Sequence, residues 1–599
     1  MDEKRNSMKL DIEAVRLSDG ENQQTKEFYK PIPEYPVLAN AVKNSNMVRE
    51  KGDVIEDGAE DPMLEGEEKA NLAKKEEVKF TSASDRKNGD AKIDIGDIDK
   101  GFTGMTKEEL MKFANDPFWV RLRWIFFILF WALWIGMLVG AILIIIGAPK
   151  CAAPTPLSWY KQGPLALLSK DTDEQPTEFK AIGAKGVIYE LNPDETYLVH
   201  TPEVKDKIKK IVDQFQAQGI NVILDVTPNF VGKDDELLKK ALENEVYRSA
   251  FVWYDGAKAP SNWLAKNGSS AWHEIEPKKF ILSQFGEKRY DLQLSDKFAK
   301  EKFINVLKEL TSIGVKGFRL ANAKHFIISK EYKDEVPLLE KPSVHTDYDF
   351  WTHSRTTYQP GLGDLINEFG LVVKNSTNDD GFVSVTENIV QPESFIIKDS
   401  TKLGFELPIY GLLPHSLAVN APNSAKLLYT ELTQTTNQLG NSSWPQWNYD
   451  DEALSKSAIG LSEHHAFIML LPGVPVASLE TFRSQNLTSF LNTLEEMRST
   501  PSYMHGSFEA YTNANDSIIA YTRLKSGNPG FFVAYNPTDA LVVGNFTSIS
   551  SMPEQLTVHL LSKNYNVEGV VERAKVQAHE VQISPKSVII LTYVPKSMD

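Results

Sequence analysis

Cysteine is nearly absent: the chain has one in 599 residues, Cys151. That excludes a disulfide within the chain and any metal site built on several cysteines. What remains is a free or buried thiol, or half of a bond to another protein. Long apolar runs are equally scarce. The one stretch of membrane length is 124–147, 24 residues without a formal charge. As a helix it measures about 36 Å, against a hydrocarbon core of about 30 Å. No Cys/His cluster has metal-ligand spacing, and the pair His464-His465 stands by itself, as surface or core packing would leave it. No glycine loop suited to phosphate occurs, so neither a metal nor any other cofactor is expected. An excess of positive charge is missing too. With 65 Lys and Arg against 81 Asp and Glu the net charge is −16, which argues against nucleic-acid binding.

The apolar run begins too far from the N-terminus, and is too long, for a cleaved signal peptide. Lys107, Lys112, Arg121 and Arg123 precede it closely, and only Lys150 and Lys161 follow closely. That asymmetry favours a cytoplasmic N-terminus. The glycosylation sequons agree: Asn267, Asn375, Asn441, Asn486, Asn515 and Asn545 each open an N-x-S/T triplet, and none precedes Cys151. The expectation is a single-pass type II membrane protein with a large extracellular C-terminal part. Cys151 then opens CAAPTP just outside the span, a place that suits a tether to a second chain better than a buried inert thiol.

Composition divides the rest. Residues 1–103 are acidic, poor in aromatics and expected to form a disordered cytoplasmic tail. Residues 104–123 read as a juxtamembrane helix. Thr106 and Glu109 are spaced as a capping box, Pro117 interrupts the run, and Phe118, Trp119 and Trp124 suit the headgroup region. Within the span, Gly136 and Gly140 form a G-x-x-x-G that would let another helix approach closely. Residues 148–160 form a neck.

Beyond the neck, β-branched runs alternate with helical patterns: GVIYEL (186–191), NVILDV (221–226), VKGFRL (315–320) and FVSVTE (382–387). Strand, helix, strand in repetition predicts an α/β fold, a (β/α)8 TIM barrel over 161–504 with a small insert at 231–290. From 505 to 599 short strands separated by turns predict an antiparallel β-sandwich.

Three stretches, DVTPNF (225–230), GFRLANAKH (317–325) and LPGVPV (471–476), resemble segments of the α-amylase/α-glucosidase family. So does YRSAFVWYDGAKAPSNW with GSSAWHE (247–274), which looks like that family's small inserted domain. The resemblance implies retaining hydrolysis by paired carboxylates, a nucleophile and an acid, with a third carboxylate binding the sugar. Measured against that pattern, the nucleophile's place falls on Ala321 and the substrate histidine's on Phe230. The third carboxylate's Asn-His-Asp tripeptide aligns with Asn441-Ser442-Ser443, where a glycan on Asn441 is expected to overhang the former substrate entrance. Glu387 stands where the acid would be. Arg319, Asp225, Asn229 and His325 survive as scaffold. The catalytic set is therefore read as vestigial, and a neighbouring Asn322 in the strand would point to the opposite face.

The whole plan, above all GMTKEELMKFANDPFWVRLRW and the span through APKC (148–151), resembles the heavy-chain subunits of heteromeric amino-acid transporters. The resemblance implies a non-catalytic ancillary subunit at the plasma membrane, joined through Cys151 to a multi-pass light chain. Two other readings are a membrane-anchored α-glucosidase, which would want an aspartate at position 321, and an adhesion or signalling glycoprotein, which would have no disulfide-linked transporter partner.

Overall fold

The computed structural model describes residues 107–147, 154–170, 174–338, 344–419, 424–439, 444–457, 459–483, 487–513 and 515–596. The tail, Thr106, Cys151, Asn441 and Asn486 lie outside the described residues.

Helix α1 spans Lys107–Ala114 and α2 spans Pro117–Gly147. Pro117 opens the second helix rather than bending one long one: its missing N–H falls where helical donors have no partner anyway, and the Asp116 carboxylate accepts from the Phe118 N–H at 3.2 Å. The juxtamembrane stretch is thus split between α1 and the first turns of α2. From Trp124 onward α2 is apolar on every side, and none of its 31 residues is buried. A helix of that kind needs an apolar medium around it. Among the described residues none lies within 4 Å of where a Cβ would stand on Gly136 or Gly140.

Beyond residue 160 the chain forms a ring of parallel strands. β1 (Leu165–Leu167), β2 (Gly186–Glu190) and β3 (Asn221–Val226) come first. An excursion follows, with β4 (Phe230–Gly232) paired to β8 (Arg289–Asp291), and β5 (Trp253–Asp255), β6 (Trp272–Glu276) and β7 (Lys279–Leu282) in a sheet of their own. Stacked Trp263 and Trp272, with ring centroids 5.5 Å apart, centre a separate small core there. The chain then returns through β9 (Gly317–Leu320), β10 (Phe382–Val385), β11 (Gln446–Asn448) and β12 (Val474–Ser478). The seven strands join in the order β10-β9-β3-β2-β1-β12-β11. The sixth place in barrel order, between β10 and β11, is taken by residues 406–410, which form no regular ladder. There the Glu406 N–H donates to the Val383 carbonyl, Gln446 N–H to Pro408, and Ile409 bridges both Asn388 and Gln446 in parallel. With that segment the ring closes, and the barrel is of the expected α-amylase type.

Alternation explains what each strand aims inward. Val187, Val222, Leu224, Phe318 and Leu320 face the surrounding helices, while Ile188, Ile223 and Phe382 face the axis with Leu165, Leu407, Val474 and Val476. Tyr160 stacks on Phe382 (4.3 Å) in this inner layer. Gly317 must be glycine, since a Cβ would lie 2.6 Å from Phe382 and 2.8 Å from Ile223. By the same alternation Asp225 and Arg319 point into the barrel.

The C-terminal unit is a six-stranded antiparallel sheet in the order β13-β14-β15-β20-β17-β18: Ser507–Thr512, Ile519–Leu524, Gly530–Asn536, Ser587–Tyr593, Gln555–Leu561 and Lys575–Gln577. One face joins the barrel's helix-side core through Tyr521, Val533, Tyr535, Val588 and Ile590. Its other face packs on Phe546, Ile549, Met552 and the pair β16 (Val542–Gly544) and β19 (Val581–Ile583). The sandwich is lopsided, with a two-stranded second layer.

Candidate functional site

Parallel strands deliver the residues that follow them to one end of the ring, where barrel sites are built. Just inside that mouth, Arg319 grips Asp225 with two parallel bonds, Nε to Oδ1 at 2.6 Å and Nη2 to Oδ2 at 2.5 Å. Its Nη1 donates to Gln446 Oε1 at 3.3 Å, and the Gln446 amide donates on to Ser384 Oγ and the Leu407 carbonyl. These groups are buried, and the network ties β3, β9, β10, β11 and the irregular sixth segment together. A charge pair so placed is scaffold: every lone pair it needs is supplied by the protein.

The next inward position on β9 is Ala321, whose N–H donates to Val226 at 2.9 Å. It offers a methyl group and nothing else. Asn322 is not a strand residue as expected. At φ 53°, ψ 36° it turns left-handed, a conformation asparagine tolerates. Its carbonyl accepts from Asn229 Nδ2 (3.1 Å) and its Oδ1 accepts from Lys266 Nζ (2.5 Å). Phe230 is buried against Phe285, centroids 5.6 Å apart, with the Arg289 guanidinium 5.0 Å from its ring. Phe285 in turn meets the His325 ring edge-on at 5.5 Å. His325 Nδ1 donates to the Thr356 carbonyl at 2.9 Å, and Nε2 has no partner among the described residues. Burial, and then Lys324 and Lys266, hold its pKa well below the usual imidazole range, so the ring is neutral.

Glu387 follows β10 with Oε1 enclosed and, among the described residues, unpaired. Burial pushes its pKa up to about 7, against the pull of Lys324 and Lys266. Asp291 on β8 is likewise raised by burial to about 7, although its Oδ2 accepts from the Gln284 N–H at 3.0 Å. Across the mouth, buried Glu335 accepts from the N–H groups of Ser354 and Arg355 and from the hydroxyls of Thr352 and Ser354, fixing that loop. Reading the sequence missed Asp291, Lys266, Lys324 and Glu335. Each is a common charged residue, and no motif or spacing in the sequence marks it.

Residues 203–450 match the family description "Alpha amylase, catalytic domain", and residues 90–166 match "Solute carrier family 3 member 2 N-terminus". The rat amino acid transporter heavy chain SLC3A1 is 26% identical over 422 residues, 63% of this chain and 60% of its own. Mouse heavy chain SLC3A2 is 31% identical over 180 residues, 26% of this chain and 34% of its own. The chain is a relative of the amino-acid transporter heavy chains. It matches less than two thirds of the length of either relative. In three dimensions the trehalose-6-phosphate hydrolase of Bacillus licheniformis has the same fold, with a TM-score of 0.56 at 13% identity over 73% of this chain and all of its own.

One motif assignment for this heavy-chain relative needs correction. Asn441-Ser442-Ser443 precede β11, whereas a tripeptide at the mouth must follow it. The residues that close β11 are Asn448-Tyr449-Asp450, and the α-amylase match ends on the last of them. A carboxylate therefore persists at the third position. Asp450 is occupied: it accepts from His415 Nδ1 at 2.7 Å and from the Ala453 N–H at 2.8 Å, which holds its pKa below the usual range. The expectation of a glycan over the entrance rested on that alignment, and Asn441 itself lies outside the described residues. Among the described sequons, Asn267, Asn375, Asn515 and Asn545 are all exposed. Asn267 and Asn545 each accept from the hydroxyl of their own Ser269 or Thr547, at 2.7 and 2.8 Å. His464 and His465 are core residues, driven by burial to pKa values of about 3 and about 4.

Proposed function

We propose that this chain is a non-catalytic ancillary subunit that binds a multi-pass amino-acid transporter light chain and brings it to the plasma membrane. The reading is carried by the match of residues 90–166 to a transporter heavy-chain N-terminus, a stretch that holds both the apolar helix and Cys151. One helix has no room for a substrate path, so transport resides in the partner. The contact is threefold: a disulfide at Cys151, helix packing at Gly136 and Gly140, and the ectodomain surface. The chain is type II, with residues 1–103 as its cytoplasmic tail, 148–160 as its neck and glycans at Asn267, Asn375, Asn441, Asn486, Asn515 and Asn545.

The barrel is a pseudo-glycosidase. Glu387 and Asp450 remain, but Ala321 removes the covalent step of retaining hydrolysis and Phe230 fills the histidine's place. The deciding experiment compares native membranes on non-reducing and reducing gels. Wild type should run as a high-mass species that reductant converts to monomer plus a multi-pass transporter, and Cys151→Ser should abolish it. Identical migration with and without reductant would defeat the covalent-partner reading.

A further inference from the structure

Arg319, Arg498 and Arg523 are all buried. The first two are well answered: Arg319 holds Asp225 and Gln446, and Arg498 donates to the carbonyls of Gln162, Met469 and Gly473. Arg523 on β14, 2% exposed, is not. Its Nη2 donates to the Tyr503 carbonyl and its guanidinium lies 5.0 Å from the Tyr503 ring. Nε is enclosed without a partner, and among the described residues no carboxylate pairs with the group and no acceptor reaches Nη1. Burial pulls its pKa down to about 10; Tyr503 and Tyr521 pull the other way, and the like charge of Arg498 adds to the fall. A cation at that depth is ordinarily paired. Arg523 borders a cavity of about 710 Å³ between β13, the last strand of its sheet, and the helix Ser424–Leu439. Nη1, neither enclosed nor bonded, is the atom that opens on it. Trp444, Pro445, Phe508 and Ala510 make the cavity's apolar walls. Phe508 stands opposite Arg523 in the ladder and shares its face. Glu509, the one carboxylate among the described lining residues, falls on the other face of β13, where it accepts from the Tyr511 hydroxyl.

We propose that this cavity binds a small organic monocarboxylate with a flat apolar body. The carboxylate supplies acceptors and no donor, which is what a guanidinium left with one carbonyl acceptor lacks. A neutral alcohol offers a lone pair to Nη1 but leaves the charge unanswered. An ammonium is repelled. Inorganic phosphate brings up to two charges to one cation and has no apolar part to set against Trp444 and Phe508, so its desolvation is poorly offset.

The test is calorimetric titration of the full chain in lipid nanodiscs with benzoate, benzyl alcohol, benzylammonium and inorganic phosphate, with empty nanodiscs as the blank. Saturable benzoate binding with a Kd of about 1 mM or tighter is expected for so small a ligand. Benzyl alcohol and phosphate should bind at least tenfold more weakly, and benzylammonium should not bind. Arg523→Met removes the charge, while Thr433→Phe, on the helix wall, fills the cavity and leaves Arg523 in place. Each should weaken benzoate at least tenfold, and if Arg523→Met does not fold, Thr433→Phe and the ligand order on wild type decide. Benzoate heats no larger than the blank, any of the other three ligands binding as well as benzoate, or benzoate affinity unchanged in a folded variant overturns the proposal.

Discussion

Replacing Asp225 with alanine tests whether the surviving family residues serve the fold. The substitution removes both oxygens that Arg319 holds at 2.6 and 2.5 Å and leaves the Gln446 oxygen at 3.3 Å as the guanidinium's side-chain acceptor. Arg319 is 6% exposed, so water cannot replace what is lost. At an effective dielectric constant of about 20 the pair's attraction is roughly 5–6 kcal/mol, and breaking such a pair from one side costs about 3–5 kcal/mol. Asp225→Asn keeps one acceptor and should cost about half as much. Asp225→Leu with Arg319→Met removes both charges, fills similar volume and should lie within about 2 kcal/mol of wild type. The assay is denaturant unfolding of the purified protein, followed by tryptophan fluorescence, comparing midpoints and slopes. Non-additivity is the signature: the double variant should be more stable than Asp225→Ala. An Asp225→Ala cost below about 1 kcal/mol, or a double variant that loses the sum of the single losses, refutes the scaffold role.

The purified protein should not hydrolyse maltose or aryl α-glucosides above background, since losing one member of a catalytic set typically costs about 10⁴-fold or more; turnover abolished by Glu387→Gln would refute this. Stability should fall as pH rises through about 7, because Glu387 and Asp291 both have folded pKa values raised to about 7 and so bind protons more tightly folded than unfolded. Their contribution is fully present below about pH 4.5 and lost above about 7; Glu387→Gln with Asp291→Asn should flatten the profile over that window, gaining on the order of 2 kcal/mol at pH 8 relative to wild type. Peptide mapping with and without glycosidase should find sugars on the four exposed sequons Asn267, Asn375, Asn515 and Asn545, and an unmodified set in surface protein would remove the support for an extracellular C-terminal part.

The barrel was legible because its early strands are apolar on both faces, as a parallel sheet covered by helices requires. GVIYEL and NVILDV show the pattern, and each sits where it was expected. The sixth and seventh strands broke the pattern. Residues 406–410 form no ladder, and β11 is three residues long with two polar ones, Gln446 and Asn448. Gln446 faces inward because it completes the Arg319 network, a long-range reason that a local pattern does not carry. With β11 unrecognised, the tripeptide slid toward the nearest Asn-Ser-Ser and the third carboxylate was counted as lost. Its recovery at Asp450 changes the ground of the pseudo-enzyme reading without reversing it. Two of the three carboxylate positions are filled, but Asp450 is bound to His415 and to the Ala453 N–H. The proposed inactivity then rests on Ala321 and Phe230 rather than on a wholesale loss of carboxylates. The restoring variant follows from that: Ala321→Asp with Phe230→His supplies the missing types, yet leaves Asp450 held by His415, so hydrolysis should stay at background until His415→Ala frees it. Turnover in the double variant with His415 intact would show that the third carboxylate was never out of reach.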